Sequence, residues 1–201
     1  MRVAVLASGR GSNFQSIIDA ASRNELPNCK IKLLIVNKKE AYAIERAKKH
    51  NISYQIIEST NKNRQQYDLQ LLDVLRKKNI DVVVLAGFMR ILSETFIKEY
   101  KNKIINIHPS LLPLFPGAHA HRDVIKSGVK ESGCTVHFVD EGVDTGPIIM
   151  QETVTVDKYD NEKTLAAKIL PMEHQIFPEA LHLLTSGKLH IKEGKVTIRS
   201  D

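Results

Sequence analysis

Asn106 and His108 stand two residues apart at the end of an apolar run, immediately before Pro109. On a strand, residues i and i+2 face the same way, so the amide and the imidazole share one face where the strand ends. An amide N–H can stabilise a developing oxyanion, and an imidazole can hold or move a proton near neutral pH. Pro109 and Pro113 stop sheet pairing and hold an irregular loop, the kind of segment on which a rigid scaffold displays functional groups. Asp144 lies in the turn-rich stretch Asp140-Glu141-Gly142-Val143-Asp144-Thr145-Gly146-Pro147. It is the carboxylate available to orient the histidine and raise its pKa. Taken singly, His108 reads equally well as a capped strand end and Asp144 as a turn residue. No serine or cysteine occupies a nucleophile elbow, so attack by a substrate amine or by water fits better than a covalent enzyme intermediate. His119 and His121 form an H-x-H pair. Acidic and cysteine partners at metal-ligand spacing are absent from the sequence, so no metal is expected and the pair is read as loop shaping.

A second candidate site lies near the N-terminus. Ser8-Gly9-Arg10-Gly11-Ser12-Asn13 separates a short apolar run from Phe14, Ile17, Ile18 and Ala21, which follow helical spacing. Backbone N–H groups of such a loop, together with the helix N-terminus, attract an anion, and a monophosphate fits. A dinucleotide fits less well, because Phe14 takes the place of a third glycine and Asn37-Lys38 follows the second strand where an acidic ribose ligand is wanted. The other reading is a tight turn with Ser12 as helix cap. Arg64, near the start of its helix, is a candidate for a charge-assisted bond to the same phosphate.

Positioning these groups takes a regular scaffold. Short apolar runs at 3–7, 31–36, 52–57, 82–86 and 104–108 alternate with helical patterns after Asn13 and at 41–50, 64–78 and 93–100. That alternation specifies a parallel sheet covered on both faces. A Pro/Gly/His loop over 109–121 and a helix over 122–127 follow, then strands at 134–139 and 148–156 joined by the turn that holds Asp144, an antiparallel extension. A helical region over 162–185 contains Pro171 and Pro178, which bend it or delay its start. Residues 189–199, broken by Glu193-Gly194, read as a terminal hairpin. The expected fold class is α/β, doubly wound, with a mainly parallel sheet and an antiparallel C-terminal extension, in one domain over 1–201.

Composition narrows the function. A length of 201 residues suits one domain with a real core. The apolar run at 3–7 is far too short for a signal peptide or a spanning helix, so a cytoplasmic protein without a membrane partner is expected. The two cysteines, Cys29 and Cys134, have no metal-like spacing and read as reduced core residues. A net charge of +6 favours anionic ligands. The lysines are scattered, tryptophan is absent, and no basic run alternates with aromatics, so small anionic substrates fit better than nucleic acid.

Several segments together carry a family resemblance. Gly11-Ser12-Asn13, Leu85-Ala86-Gly87-Phe88-Met89-Arg90-Ile91-Leu92, Asn106-Ile107-His108-Pro109-Ser110-Leu111-Leu112-Pro113, Val136-His137-Phe138-Val139 and Asp144-Thr145-Gly146-Pro147 resemble the phosphoribosylglycinamide formyltransferases, folate-dependent enzymes of purine synthesis. The likeness runs from the first strand to Glu173-His174 and Phe177-Pro178. The Asn-x-His-Pro-Ser-Leu-Leu-Pro segment with a later Asp marks the wider formyltransferase superfamily, and the Gly-Ser-Asn loop points to the branch that binds a ribonucleotide phosphate.

The resemblance implies a formyltransferase fold, with ribonucleotide bound by the N-terminal half and folate by the C-terminal half. It implies 10-formyltetrahydrofolate as co-substrate, glycinamide ribonucleotide as acceptor, and a monomer or weak homodimer. Asn106, His108 and Asp144 would carry catalysis, the first two stabilising a tetrahedral oxyanion and Asp144 supporting His108. Gly11, Ser12, Asn13 and Arg64 would cradle the phosphate, Glu173 would bind ribose hydroxyls, and Met89 and Pro109 would line the glycinamide channel. The pterin would lie near Leu85, Arg90, Ile91 and Leu92 and against Val139, Asp140, Glu141, Gly142 and Val143. Thr135 and His137 would stand behind the triad. Two departures are visible: Leu170 stands where some members place a polar group near the ribose, and Ala118 and Ala120 are smaller than some relatives carry.

Three other readings are available. A 10-formyltetrahydrofolate hydrolase could use the same triad with water as acceptor, but usually carries an additional N-terminal regulatory domain. A methionyl-tRNA formyltransferase carries a C-terminal RNA-binding domain. A nucleotide-binding module without catalysis explains the glycine loop and leaves Asn106, His108 and Asp144 without a role.

Overall fold

The computed structural model describes residues 1–199, so the last two positions of the expected 1–201 domain lie outside the described residues. Apolar runs of strand length alternate with amphipathic segments to give β1 (Arg2–Ala7), α1 (Ser12–Ser22), β2 (Lys30–Val36), α2 (Ala43–Lys49), β3 (Tyr54–Ile56), α3 (Arg64–Lys77), β4 (Val82–Leu85), α4 (Glu94–Glu99) and β5 (Ile104–His108). These five strands are parallel, in the order β3-β2-β1-β4-β5. After α5 (Ala120–Ser127), β6 (Glu131–Phe138) and β7 (Ile148–Thr155) extend the sheet antiparallel beyond β5. The chain ends with α6 (Glu162–Thr185) and a separate hairpin of β8 (Leu189–Lys192) and β9 (Lys195–Ile198).

Alternation along the strands divides the core. Val3, Val5 and Ala7 of β1 pack under α1, α2, α5 and α6, whereas Ala4 and Leu6 pack under α3 and α4. α6 starts at Glu162, closed by a capping box from Asn161, and carries Pro171 and Pro178 within one helix rather than starting late. The strand order reverses direction between β1 and β4, and open α/β sheets hold ligands at such a point, beyond the C-terminal strand ends. The glycine loop leaves β1 there and the 86–92 segment leaves β4. The Ser8 N–H donates to the Gly87 carbonyl at 3.1 Å, and the Met89 N–H donates to Ser8 Oγ at 2.9 Å, tying the two together.

Candidate active site

The glycine loop presents backbone donors. Gly11 is the N-cap of α1 in the left-handed region, φ 68°, and no side chain caps this end. Ser12 is therefore the first helical residue and not the cap, which leaves the first N–H groups of α1 open to an anion. A Cβ on Gly11 would lie 2.7 Å from Ala43 Cβ of α2, so the loop can sit this close only as glycine. Asn13 Nδ2 donates to Glu173 Oε2 at 2.8 Å, joining α1 to α6. Burial pushes the Glu173 carboxyl above its ordinary pKa, with the Asn13 bond opposing.

β5 carries Asn106 and His108 to the other side of the crevice, and β6 sets His137 opposite Asn106 and Thr135 opposite His108. His137 Nδ1 lies 2.8 Å from the Phe138 carbonyl and donates to it, so Nε2 of the neutral ring accepts from Asn106 Nδ2 at 3.2 Å. One amide N–H of Asn106 is thereby fixed. His108 Nε2 donates to the Phe115 carbonyl at 2.9 Å, and His108 Nδ1 lies 3.3 Å from Asp144 Oδ2. Asp144 Oδ2 also accepts the Gly117 N–H at 2.8 Å, and Oδ1 lies 3.6 Å from His137 Nε2. The carboxylate reaches both rings from a left-handed turn, φ 56°, a conformation aspartate tolerates better than most residues.

Two acceptors thus face the two nitrogens of His108, and only the doubly protonated ring satisfies both. Burial works against that charge and prevails, holding His108 below the ordinary histidine pKa while the Phe115 carbonyl and Asp144 oppose and His137 adds to the lowering. The expectation that Asp144 raises the His108 pKa describes only one contribution; the net direction is down. For Asp144, burial pushes upward, but the nearby His137 ring, the Gly117 N–H and the His108 ring together outweigh it and keep the carboxyl below its ordinary range.

Thr135, fully buried, holds the loop after β5. Its Oγ1 donates to the Ser110 carbonyl at 2.6 Å and accepts from the Leu112 N–H at 3.1 Å and from Gln151 Nε2 at 2.8 Å. Ser110 Oγ in turn donates to the Leu114 carbonyl at 2.6 Å, and the Leu112–Pro113 peptide is cis. These bonds set the segment that presents the Phe115 carbonyl to His108.

The formyl transferase family model matches residues 1–181. The chain belongs to the formyl transferase family. It is 47% identical over 190 residues to the trifunctional purine biosynthetic protein adenosine-3 of Drosophila pseudoobscura pseudoobscura, covering 94% of this chain and 14% of that protein. It is 41% identical over 195 residues to the phosphoribosylglycinamide formyltransferase of Escherichia coli (strain K12), covering 96% of this chain and 92% of that one. The crystal structure of glycinamide ribonucleotide transformylase 1 from Symbiobacterium toebii superposes with a TM-score of 0.97 at 39% identity, covering all of this chain and 94% of that one. The chain thus spans about one-seventh of the trifunctional relative's length and nearly all of the two single-activity proteins.

Within this formyl transferase, the remaining expected residues distribute unevenly. Leu85 ends β4, buried; Met89 and Ile91 beyond it are exposed, Leu92 is buried, and Arg90 lies over the Tyr67 ring at 4.6 Å. Pro109 follows His108 directly and is half-buried. Val139 hydrogen-bonds back to the Ile104 carbonyl. Asp140 Oδ1 accepts the Gly142 N–H at 3.1 Å and the Thr145 hydroxyl at 2.7 Å, shaping the turn that leaves Glu141 and Val143 exposed. His119 is the N-cap of α5, and His121, in its first turn, is held below its ordinary pKa by burial and by nearby His108.

Arg64 does not join the glycine loop: among the described residues no hydrogen bond or ion pair connects them. It starts α3, on the opposite face of the sheet from α1, and its charge acts on Asp68, as does that of Arg90. Asp68 in turn accepts the Ser93 N–H, so Arg64 belongs with the 88–93 segment. The arginine that does reach the glycine loop is Arg46 of α2, whose Nε donates to the Arg10 carbonyl at 2.9 Å. Sequence reasoning missed it, as it missed Phe115 and Gln151, because a helical arginine, a backbone carbonyl and a strand glutamine carry no local signal.

Proposed function

We propose that the chain transfers the formyl group of 10-formyltetrahydrofolate to the glycine amine of glycinamide ribonucleotide. The observation that carries the reading is Asp144 on His108 beside Asn106, in a chain matched nearly end to end by phosphoribosylglycinamide formyltransferases. The neutral amine attacks the formyl carbon, forming a C–N bond and placing negative charge on the formyl oxygen. The second N–H of Asn106 and protonated His108 stabilise that oxyanion. Nε2–H of His108, which here serves the Phe115 carbonyl, is exchanged to the oxyanion, while Asp144 keeps Nδ1–H and compensates the imidazolium charge. The ammonium proton leaves through water held near Asp144, the C–N10 bond breaks, and N10 of the folate takes up a proton.

Gly11, Ser12 and Asn13 hold the phosphate and Glu173 the ribose hydroxyls, with Met89 and Pro109 along the glycinamide. Leu85, Arg90, Ile91, Leu92 and residues 139–143 receive the pterin, and Arg64 lies on that side. The chain acts as one domain, Glu173 reaching back to the ribonucleotide half, in the cytoplasm and as a monomer or weak homodimer. A hydrolase reading leaves the open N–H groups at Gly11 and the Asn13–Glu173 pair without a role.

Absorbance-monitored turnover of the formyl folate tests the proposal. Turnover that depends on glycinamide ribonucleotide is the expected result. Equal turnover without the ribonucleotide assigns a hydrolase, and none in either case removes the enzymatic reading.

A further inference from the structure

Arg46 is tethered to the glycine loop by more than one contact. Besides its bond to the Arg10 carbonyl, Nη1 donates to Gln15 Oε1 at 3.0 Å, and Cδ lies 3.5 Å from where a Cβ on Gly11 would stand. Two guanidinium nitrogens therefore fix the side chain, and Nη2 makes no hydrogen bond among the described residues. On α6, one residue beyond Glu173, His174 Nε2 is buried and likewise has no hydrogen-bond partner. Arg46 and His174, with Ser12, Gln15, Asp19 and Arg23, line a cavity of about 260 Å³ along the flank of α1.

The charge of this cavity is positive where it meets the loop. Arg23 is paired with Glu25, and Asp19 Oδ1 accepts from Gln15 Nε2 at 2.8 Å. The uncommitted nitrogens are Arg46 Nη2 and His174 Nε2. Leu170, one turn earlier on α6, adds no charge. Unpartnered nitrogens on residues of two helices that line one cavity with Ser12, in the first turn of a third, suit a tetrahedral dianion.

We propose that Arg46 and His174 form the side-chain half of the phosphate subsite: a phosphate monoester seated on the N–H groups of residues 11–13 also accepts hydrogen bonds from Arg46 Nη2 and His174 Nε2. The inference rests on the ribonucleotide reading above and adds two ligands to it. Burial, and then the Arg46 charge, hold His174 below its ordinary pKa, with Asp19 opposing; a dianion beside the ring adds an attraction that opposes this lowering and favours the protonated form.

Steady-state kinetics with glycinamide ribonucleotide and with its dephosphorylated riboside separate a phosphate ligand from a structural residue. In Arg46→Gln the KM for the ribonucleotide should rise about 10- to 100-fold, as expected for one lost charge-assisted hydrogen bond. The folate KM and the kcat/KM for the riboside should not follow. Arg46→Lys should recover part of the loss, and His174→Gln should show the same pattern more weakly. Equal losses on ribonucleotide and riboside, or an unchanged ribonucleotide KM, overturn the proposal. Inorganic phosphate titrated against the full chain, followed by ³¹P resonance, gives a readout that needs no turnover. Weaker phosphate binding in Arg46→Gln supports the subsite even if wild type transfers no formyl group, which would sink the functional reading alone. Equal phosphate binding in wild type and variant, or none in either, overturns the subsite even where transfer is normal.

Discussion

The amide of Asn106 is held by His137, and the ring of His108 by the Phe115 carbonyl and Asp144, before any substrate arrives, and in the proposed reaction that restraint is their contribution to catalysis. Asn106 is aimed by His137, whose own tautomer is set by the Phe138 carbonyl. Losing one preorganised oxyanion donor costs about 3 to 4 kcal/mol, so Asn106→Ala should lower kcat by about a thousandfold with little change in KM. Near-normal turnover would remove Asn106 from the mechanism. His108 should titrate below 6.5 in the empty protein, since burial lowers it. Asp144→Asn deletes a group that opposes this lowering, so the His108 titration should move to still lower pH, as followed by imidazole nuclear resonance. An upward movement in the variant would show that Asp144 does not act on His108 as the geometry requires.

Strands and helices place these groups through a few close fits. Thr135 joins β6 to the loop after β5, and Thr135→Val keeps its shape while leaving the Leu112 N–H and the Ser110 carbonyl without this partner. The expected cost is about 1 to 3 kcal/mol, seen as a melting temperature lowered by about 2 to 10 °C, together with reduced kcat as the Phe115 carbonyl shifts. Gly11→Ala forces a side chain into the left-handed region against Ala43. It should weaken ribonucleotide binding, with the folate KM retained.

Most of this layer was legible in the sequence, because hydrophobic periodicity marks strands and helices directly. The boundaries that moved have local causes. The strand expected at 52–57 is only Tyr54–Ile56 because the Ile52 N–H closes the end of α2 on the Ala47 carbonyl. The strand expected from 134 begins at Glu131 because Ser132-Gly133, which resembles a turn, is a close strand contact: a Cβ on Gly133 would lie 1.8 Å from the Glu152 carbonyl oxygen. The candidate triad was legible from residue types at strand-end spacing. Arg46, the Phe115 carbonyl and the true surroundings of Arg64 were not, since each depends on which face of the sheet a helix covers or on a backbone atom in an irregular loop.

At the scale of the whole molecule, three histidines are kept short of protons by burial: His108, His121 and His174 all lie below the ordinary value of 6.5. As pH falls through about 6.5 the unfolded chain takes up protons that the folded one refuses, so stability is fuller above this pH and is lost below it. Glu173 and Asp68, raised by burial above their ordinary 4.5 and 3.8, act in the opposite sense, two carboxyls against three imidazoles. Melting temperature should therefore fall between pH 8 and pH 5.5; a constant or rising value would mean these rings are not buried neutral. The net charge of +6 adds a long-range attraction for the two anionic substrates of the proposed reaction, so kcat/KM should decline with ionic strength.

In the proposed reaction the formyl carbon passes to an amine rather than to water. The direct measurement of this transfer is the fate of a ¹³C-labelled formyl group on the folate, followed by nuclear resonance in the presence of glycinamide ribonucleotide. Label appearing in a formamide on the ribonucleotide, and lost from the folate at the same rate, is the predicted result. Label appearing as formate while the ribonucleotide stays unmodified would contradict it.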